Sequence, residues 1–433
     1  MRISMKTCLM VSMLLMALGT TARGQNQPIV NQPSFGFSLP KVEGTLTYAL
    51  SGSEAIMTGY GGSTGGAAYM SSVNGDLAYL SSSVSKPFSL VYSGGYLYFD
   101  EAGYPSNTTF QNVAASQVVT TKNWTFMADD GFSYMPDTPT TGLSGIPGLG
   151  DIGVAPVQTG IEPAQPILTG YATQLGNGLT GEITRTITGN LSMSGTGSWQ
   201  ILHFTGPNNI DSTEEMGSVG PTYRINANSS VNATVNYGYT TDSFQGFVLP
   251  FTTESIIVEY QKQITPLLSI NVSGGPQKSY GTGLTEALFP PQIFMVGSAG
   301  LVYQRKLTSA SIYFSRATNA GSGIVYGALT DTVAGVLSRQ FNEVWQGALT
   351  GSWAKSTALA QVPGYDLNYD ATYGGAQISR SIGRSWSAYF SYTAEDQNAI
   401  GSGADISAFN GLEQVYAVGV TFSPPAHHFA PQQ

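Results

Sequence analysis

The chain has one cysteine, Cys8, in 433 residues. Disulfides, thiolate catalysis and Cys-based metal sites are therefore excluded from everything beyond the first segment. Charge is equally scarce: Asp, Glu, Lys and Arg make up 10% of the chain, against roughly 25% in ordinary soluble domains. Histidine occurs only at 203, 427 and 428. That leaves no convincing partner for Ser63 in Gly61-Gly-Ser63-Thr-Gly65, and at most weak metal binding at His427-His428 in the tail. No run of eighteen or more apolar residues follows the first segment, so helical membrane spans are excluded. With 26 acids against 17 Lys and Arg, the sign of the charge disfavours nucleic acid.

Glycine is plentiful, at 53 residues, and Ser and Thr are abundant. Residues 1–24 have the anatomy of an export signal: Arg2 and Lys6, an apolar stretch from Leu9 to Leu18, and Ala22-Arg23-Gly24 as a small-x-small cleavage site. Cys8 precedes that apolar stretch, whereas a lipoprotein cysteine follows it. Removing Arg2, Lys6 and Arg23 makes the exported chain more acidic still.

A short pattern then keeps returning: apolar, polar, cation, any, apolar, followed by Thr, Asn or Gly. It reads Ile183-Thr-Arg185-Thr-Ile187-Thr188, Tyr260-Gln-Lys262-Gln-Ile264-Thr265 and Tyr303-Gln-Arg305-Lys-Leu307-Thr308. Two more copies are Leu337-Ser-Arg339-Gln-Phe341-Asn342 and Ile378-Ser-Arg380-Ser-Ile382-Gly383. Each copy leads into alternating apolar and small polar residues, the period of a strand with two different faces. Val231, Ala233, Val235, Tyr237 and Tyr239 oppose Asn232, Thr234, Asn236 and Gly238. Trp345, Leu349 and Trp353 oppose Gln346, Thr350 and Ser352, and Trp386, Ala388, Phe390 and Tyr392 oppose Ser385, Ser387 and Ser391. The polar face is built from Ser, Thr, Asn and Gln, whereas a water-exposed soluble sheet carries many more charges. This is the pattern of a wall with lipid on one side, and it predicts an all-β fold: a transmembrane antiparallel up-and-down β-barrel.

Tight turns near Ser85, Lys122-Asn123, Thr188-Gly189, Asn226 to Ser229, Thr265-Pro266, Thr308, Asn342-Glu343 and Gly383 join sixteen strands. A first strand near Gly44 to Ser51 and a last near Gln414 to Phe422 make eighteen. Sixteen and twenty are the neighbouring even counts, because residues 52–72 can hold further pairing. The predicted organisation is a signal at 1–24, a periplasmic tail at 25–42, a barrel at 43–422 with a long extracellular loop at 135–170, and a C-terminal tail at 423–433. Cations collect beside the tight turns, and acids such as Asp129, Asp130, Asp211, Glu214, Glu215, Glu395 and Asp396 are assigned to the long loops. Trp124, Arg185, Tyr260, Lys262, Tyr303, Arg305, Arg339, Trp345, Arg380 and Trp386 are expected at the membrane interface. There, rings sit at the hydrocarbon boundary and long cations reach lipid phosphates.

The segment Tyr416-Ala-Val418-Gly-Val420-Thr-Phe422 resembles the C-terminal assembly signal of outer-membrane barrels, with Tyr416, Val418, Val420 and Phe422 as its alternating apolar positions. It departs from that signal because the chain continues to Gln433. Together with the export signal and the repeated hairpins, the chain resembles the bacterial porin-like barrel superfamily in architecture. The resemblance implies residence in the outer membrane, with outer-membrane lipids and the barrel assembly machinery as partners, and permits a homo-oligomer. It also implies that the third long loop can fold inward to narrow the pore, with Asp137, Asp151 and Glu162 at the constriction. Residues 25–42 are too few for the plug of a TonB-dependent transporter.

Strand parity turns Glu182, Arg224 and Glu259 inward, beside a neutral lining that includes Asn232, Thr234, Asn236, Asn271, Gln304, Gln346 and Gln377. The expected function is passive diffusion of small hydrophilic solutes, neutral or cationic, with no catalysis and no cofactor. Two Gly-x-Gly-x-x-Gly runs, Gly148 to Gly153 and Gly176 to Gly181, lack the strand-to-helix context of a dinucleotide site. A structural or adhesive barrel with a closed lumen is the main alternative. A secreted propeller is a third class, because the repeat spacing overlaps that of propeller blades.

Overall fold

The computed structural model describes residues 44–59, 67–81, 83, 86–100, 107–136, 173–205, 209–244, 246–320, 325–361, 368–400, 411–425 and 427–429. The expected export signal, the tail at 25–42, most of the loop at 135–170 and the constriction residues Asp137, Asp151 and Glu162 lie outside them, as does Ser63.

Eighteen long strands follow one another. They are β1 Gly44–Thr58, β2 Ala67–Ser81, β3 Phe88–Phe99, β4 Asn107–Thr120, β5 Trp124–Pro136 and β6 Thr173–Thr186. Next come β7 Leu191–Phe204, β8 Asp211–Asn226, β9 Ser229–Phe244, β10 Phe247–Thr265, β11 Leu268–Gly281 and β12 Gln292–Arg305. The last are β13 Thr308–Asn319, β14 Ala328–Gln340, β15 Trp345–Ala358, β16 Asn368–Ile382, β17 Trp386–Ile400 and β18 Gly411–Phe422. Every strand pairs antiparallel with its neighbours in sequence, and β1 pairs with β18, so the sheet closes on itself and has no free edge. Eighteen is the count expected from the turns.

Two of its details differ from the expectation. Among the described residues of 52–72 there is no additional strand: 52–58 complete β1 and 67–72 begin β2, which pair continuously from Gly44↔Ser81 to Thr58↔Ala67. Past Phe422 the chain re-forms a strand, β19 His427–Phe429, which pairs with Leu46, Thr45 and Gly44 at the start of β1. Part of the expected C-terminal tail thus extends the closing seam.

The two faces separate as alternation requires. Large apolar residues exposed on one side include Ile183, Val235, Ile256, Val272, Ile312, Leu349, Phe390 and Val418. They share parity along their strands and register across them, as in Val219↔Val235 and Val235↔Ile256. This is the outward face, an apolar band suited to hydrocarbon. The strands are longer than the roughly ten residues that a tilted crossing needs, running from 12 residues in β3 to 19 in β10.

At the tight-turn end, aromatic rings and cations meet on the outward face. Trp124 pairs in register with Arg185, whose guanidinium lies 5.2 Å from the indole centroid. Trp345 pairs likewise with Arg380 at 5.4 Å. Tyr260, Lys262, Tyr303, Arg305, Arg339 and Trp386 share the outward parity. The apolar positions of the last strand also point outward: Trp386 packs on Phe422 at 4.9 Å and Tyr392 on Tyr416 at 4.8 Å.

Candidate functional site

The inward face encloses the interior of the barrel, and an eighteen-stranded wall is wide enough for an aqueous channel. Glu182, Arg224, Glu259, Asn232, Thr234, Asn236, Asn271, Gln304, Gln346 and Gln377 all have the parity opposite to the exposed apolar residues of their strands. They do not converge on one place; they spread around the wall. Local bonds orient several of them. Thr184 Oγ1 donates to Glu182 Oε1 at 2.7 Å, Gln261 Nε2 to Glu259 Oε1 at 2.7 Å, and Asn236 Nδ2 to Ser255 Oγ at 3.0 Å.

The lining is more acidic than that set implies. Asp76, Asp129, Glu214, Asp242, Glu395 and Glu413 also face inward, joining Glu182 and Glu259. Among the described strand residues, Arg224 is the only Lys or Arg on that face; Arg185, Lys262, Lys278, Arg305, Arg316, Arg339, Lys355 and Arg380 all point outward. The loop assignment of the acids is thereby corrected. Asp129-Asp130, Glu214-Glu215 and Glu395-Asp396 lie within β5, β8 and β17, and Asp211 opens β8. Each doublet sends its first acid inward and its second outward, since neighbouring residues of a strand face opposite ways.

Glu395 and Glu413 stand opposite each other across β17 and β18, with Tyr373 on the far side of Glu395. Both carboxylates are buried, at 5% and 1% exposure. Farther along the same wall, inward residues form an apolar patch that includes Met57, Met70, Leu97, Phe99, Phe110 and Val415. An inward glycine matters here: Tyr389 lies opposite Gly419, and a Cβ at Gly419 would stand 2.4 Å from the tyrosine ring.

At the loop end, three connections gather over the inner side of β9 and β10. The connection after β11 makes one 3-10 turn, Gly283–Thr285, and brings Phe289 onto the inward Phe251 at 5.1 Å. Leu359 and Ala360 complete that cluster. Backbone bonds tie the connections together: Leu359 N to Gly327 O at 2.9 Å and Gln361 N to Leu288 O at 2.7 Å. The wholly buried Asp242 anchors them by accepting from Gly327 N at 2.8 Å. Nothing in the local sequence signals this cap, because its contacts join segments far apart in the chain. On the outside, His203 Nδ1 meets Asp211 Oδ2 at 2.6 Å and steadies the ends of β7 and β8.

Among the described residues, no group of three or more His, Cys, Asp or Glu is placed to hold a metal ion. The run Gly176 to Gly181 lies inside β6.

No protein-family model matches the sequence, and no curated protein matches it. Solved structures with a similar course of chain exist. OccK2 (OpdF) of Pseudomonas aeruginosa is 9% identical, with a TM-score of 0.42 over 87% of this chain and 98% of that one. OccAB3 of Acinetobacter baumannii is 8% identical, with a TM-score of 0.41 over 88% of this chain and 99% of that one. The outer membrane protein OpdK of Pseudomonas aeruginosa is 8% identical, with a TM-score of 0.38 over the same shares.

Proposed function

We propose that the protein is an outer-membrane channel, exported behind residues 1–24, through which small hydrophilic solutes diffuse passively, cations and neutral molecules in preference to anions. The observation that carries this reading is the sorting of cations by face: among the described strand residues the charged groups at inward positions are acids with the lone exception of Arg224, while the other Lys and Arg face out, where they are accompanied by acids. Fixed carboxylates along a confined aqueous path raise the local concentration of cations and repel anions. No bond is made or broken, so selectivity rests on width and on these charges. The cap at the loop end is the place where a passing solute meets protein on more than one side.

A closed structural or adhesive barrel is the second reading, supported by the buried inward patch around Met57, Met70 and Phe99. Recording from the folded protein in a planar bilayer under a potassium chloride gradient separates the two. The channel reading expects stepwise current whose reversal potential has the sign of potassium selectivity. An absence of current supports the closed barrel, and a chloride-selective potential contradicts the role given to the acids.

A further inference from the structure

The inward charges keep to one part of the lumen. The inward acids and Arg224 all lie on β2, β5, β6, β8, β9, β10, β17 and β18. Among the described residues of β11 to β16, a third of the wall, no Asp, Glu, Lys or Arg faces inward. Those strands turn their charged residues outward, Lys278 and Asp370 among them. What they turn inward is mostly Ser, Thr, Asn, Gln, Gly and Ala.

Tyr313 stands near the middle of this charge-free sector. It lies halfway along β13, between Ile312 and Phe314, which face outward into the apolar band. Its side chain is 40% exposed, whereas the inward rings of Phe99, Phe110, Tyr369 and Tyr389 are buried. The surroundings explain the difference. Across the strands Tyr313 faces Gly300 on β12 and Ala334 on β14, and the next inward residues of its own strand are Ser311 and Ser315. All four are too small to cover a ring. The Asn271 carboxamide, from β11, lies over Gly300 in the space that a Cβ would take. The tyrosine hydroxyl has no hydrogen-bond partner among the described residues.

We propose that Tyr313 and the hydroxyl and amide groups around it form a subsite for a neutral sugar ring, seated face-on against the tyrosine. The subsite deepens the channel reading, which supplies the solute's access to the lumen. A pyranose has a face of C–H groups and an edge of hydroxyls. An exposed aromatic ring set among hydrogen-bonding groups divides in the same way. Neighbouring strands lie about 4.8 Å apart, so the Asn271 carboxamide, one strand over from Tyr313, is within reach of a hydroxyl on a ring seated there. Ser311, Ser315 and the tyrosine hydroxyl can each donate and accept further bonds. The lack of charge sets the solute class. An ion brought against this sector would lose part of its hydration and gain no counter-charge, whereas a sugar exchanges water for equivalent hydroxyl and amide partners. Cations and neutral rings thereby use different sides of one lumen.

The test is saturation-transfer NMR on the folded protein in phosphatidylcholine nanodiscs, which contain no sugar-headed detergent. The probes are methyl β-glucoside, the open-chain sorbitol, and methyl glucuronide, the same ring bearing a carboxylate. The expected result is transfer to the glucoside, with little to sorbitol and little to the glucuronide. Tyr313→Ala and Asn271→Ala should each weaken glucoside binding about fivefold, as loss of one aromatic contact or one hydrogen bond implies. Tyr313→Phe should keep most of it. Gel mobility that shifts on boiling shows that each variant is folded. A native protein that gives the glucoside no transfer overturns the proposal without recourse to the variants. So does unchanged binding in folded Tyr313→Ala, or equal transfer to all three probes. Binding is read here without current: an insulating barrel that holds the glucoside at Tyr313 counts against the channel alone, and a conducting barrel that ignores it counts against the subsite alone.

Discussion

Gly327 lies at the centre of the loop-end cap, and its backbone conformation is one that few other residues adopt. Its φ is +56°, and an added Cβ would sit 3.0 Å from the Phe251 ring. The left-handed region costs a residue with a Cβ about 1–2 kcal/mol, before any contact with Phe251 is counted. Gly327→Ala is therefore expected to loosen the cap and leave the wall intact. The Leu359 amide, which donates to Gly327 O, should exchange with solvent about tenfold faster, as 1.4 kcal/mol of lost protection implies, while the amides of β14 keep their rates. Unchanged exchange at Leu359 would show that Gly327 does not hold the cap. At this scale the sequence was only partly legible. Inward Asn232, Thr234 and Asn236 and outward Arg185 and Arg380 follow from alternation alone. Asp129, Glu214 and Glu395 did not, because each is followed by a second acid, and two adjacent charges look like a loop in a scan for alternating polarity. Phe251 gave no signal of its role, since its partner Phe289 comes from a different connection.

For a single strand the account separates two adjacent residues sharply. In β15, Leu349 is 55% exposed on the outward face, and Thr350 points inward between Val336 and Gly375. A lysine on the lipid side near the midplane costs a β-barrel about 2–4 kcal/mol, whereas a lumen position tolerates it. Leu349→Lys should lower the unfolding midpoint in urea by that amount of stability, and Thr350→Lys should leave it nearly unchanged. Equal losses would mean that the two faces of the strand are not in different media. Strand number was legible because short turns with a neighbouring cation recur, and each turn implies one hairpin. Strand ends were not, since the wall runs on through polar stretches that break the alternation, as in β17 from Glu395 to Asn398. β19 was missed for a similar reason: three residues after Pro424-Pro425 are too short a run to show a period, and only their pairing with β1 defines them.

The closed cylinder, the outward apolar band and the acid-lined interior follow from one arrangement, in which alternate side chains of each strand meet two different media. The chain's only cysteine, Cys8, allows that arrangement to be measured position by position. In a Cys8→Ser background, single cysteines placed in turn from Gln346 to Trp353 of β15 can be exposed to a membrane-impermeant thiol reagent in intact proteoliposomes. The account predicts reaction at 346, 348, 350 and 352 and protection at 347, 349, 351 and 353. A uniform rate along the strand, or reaction at the odd positions and protection at the even ones, would contradict it.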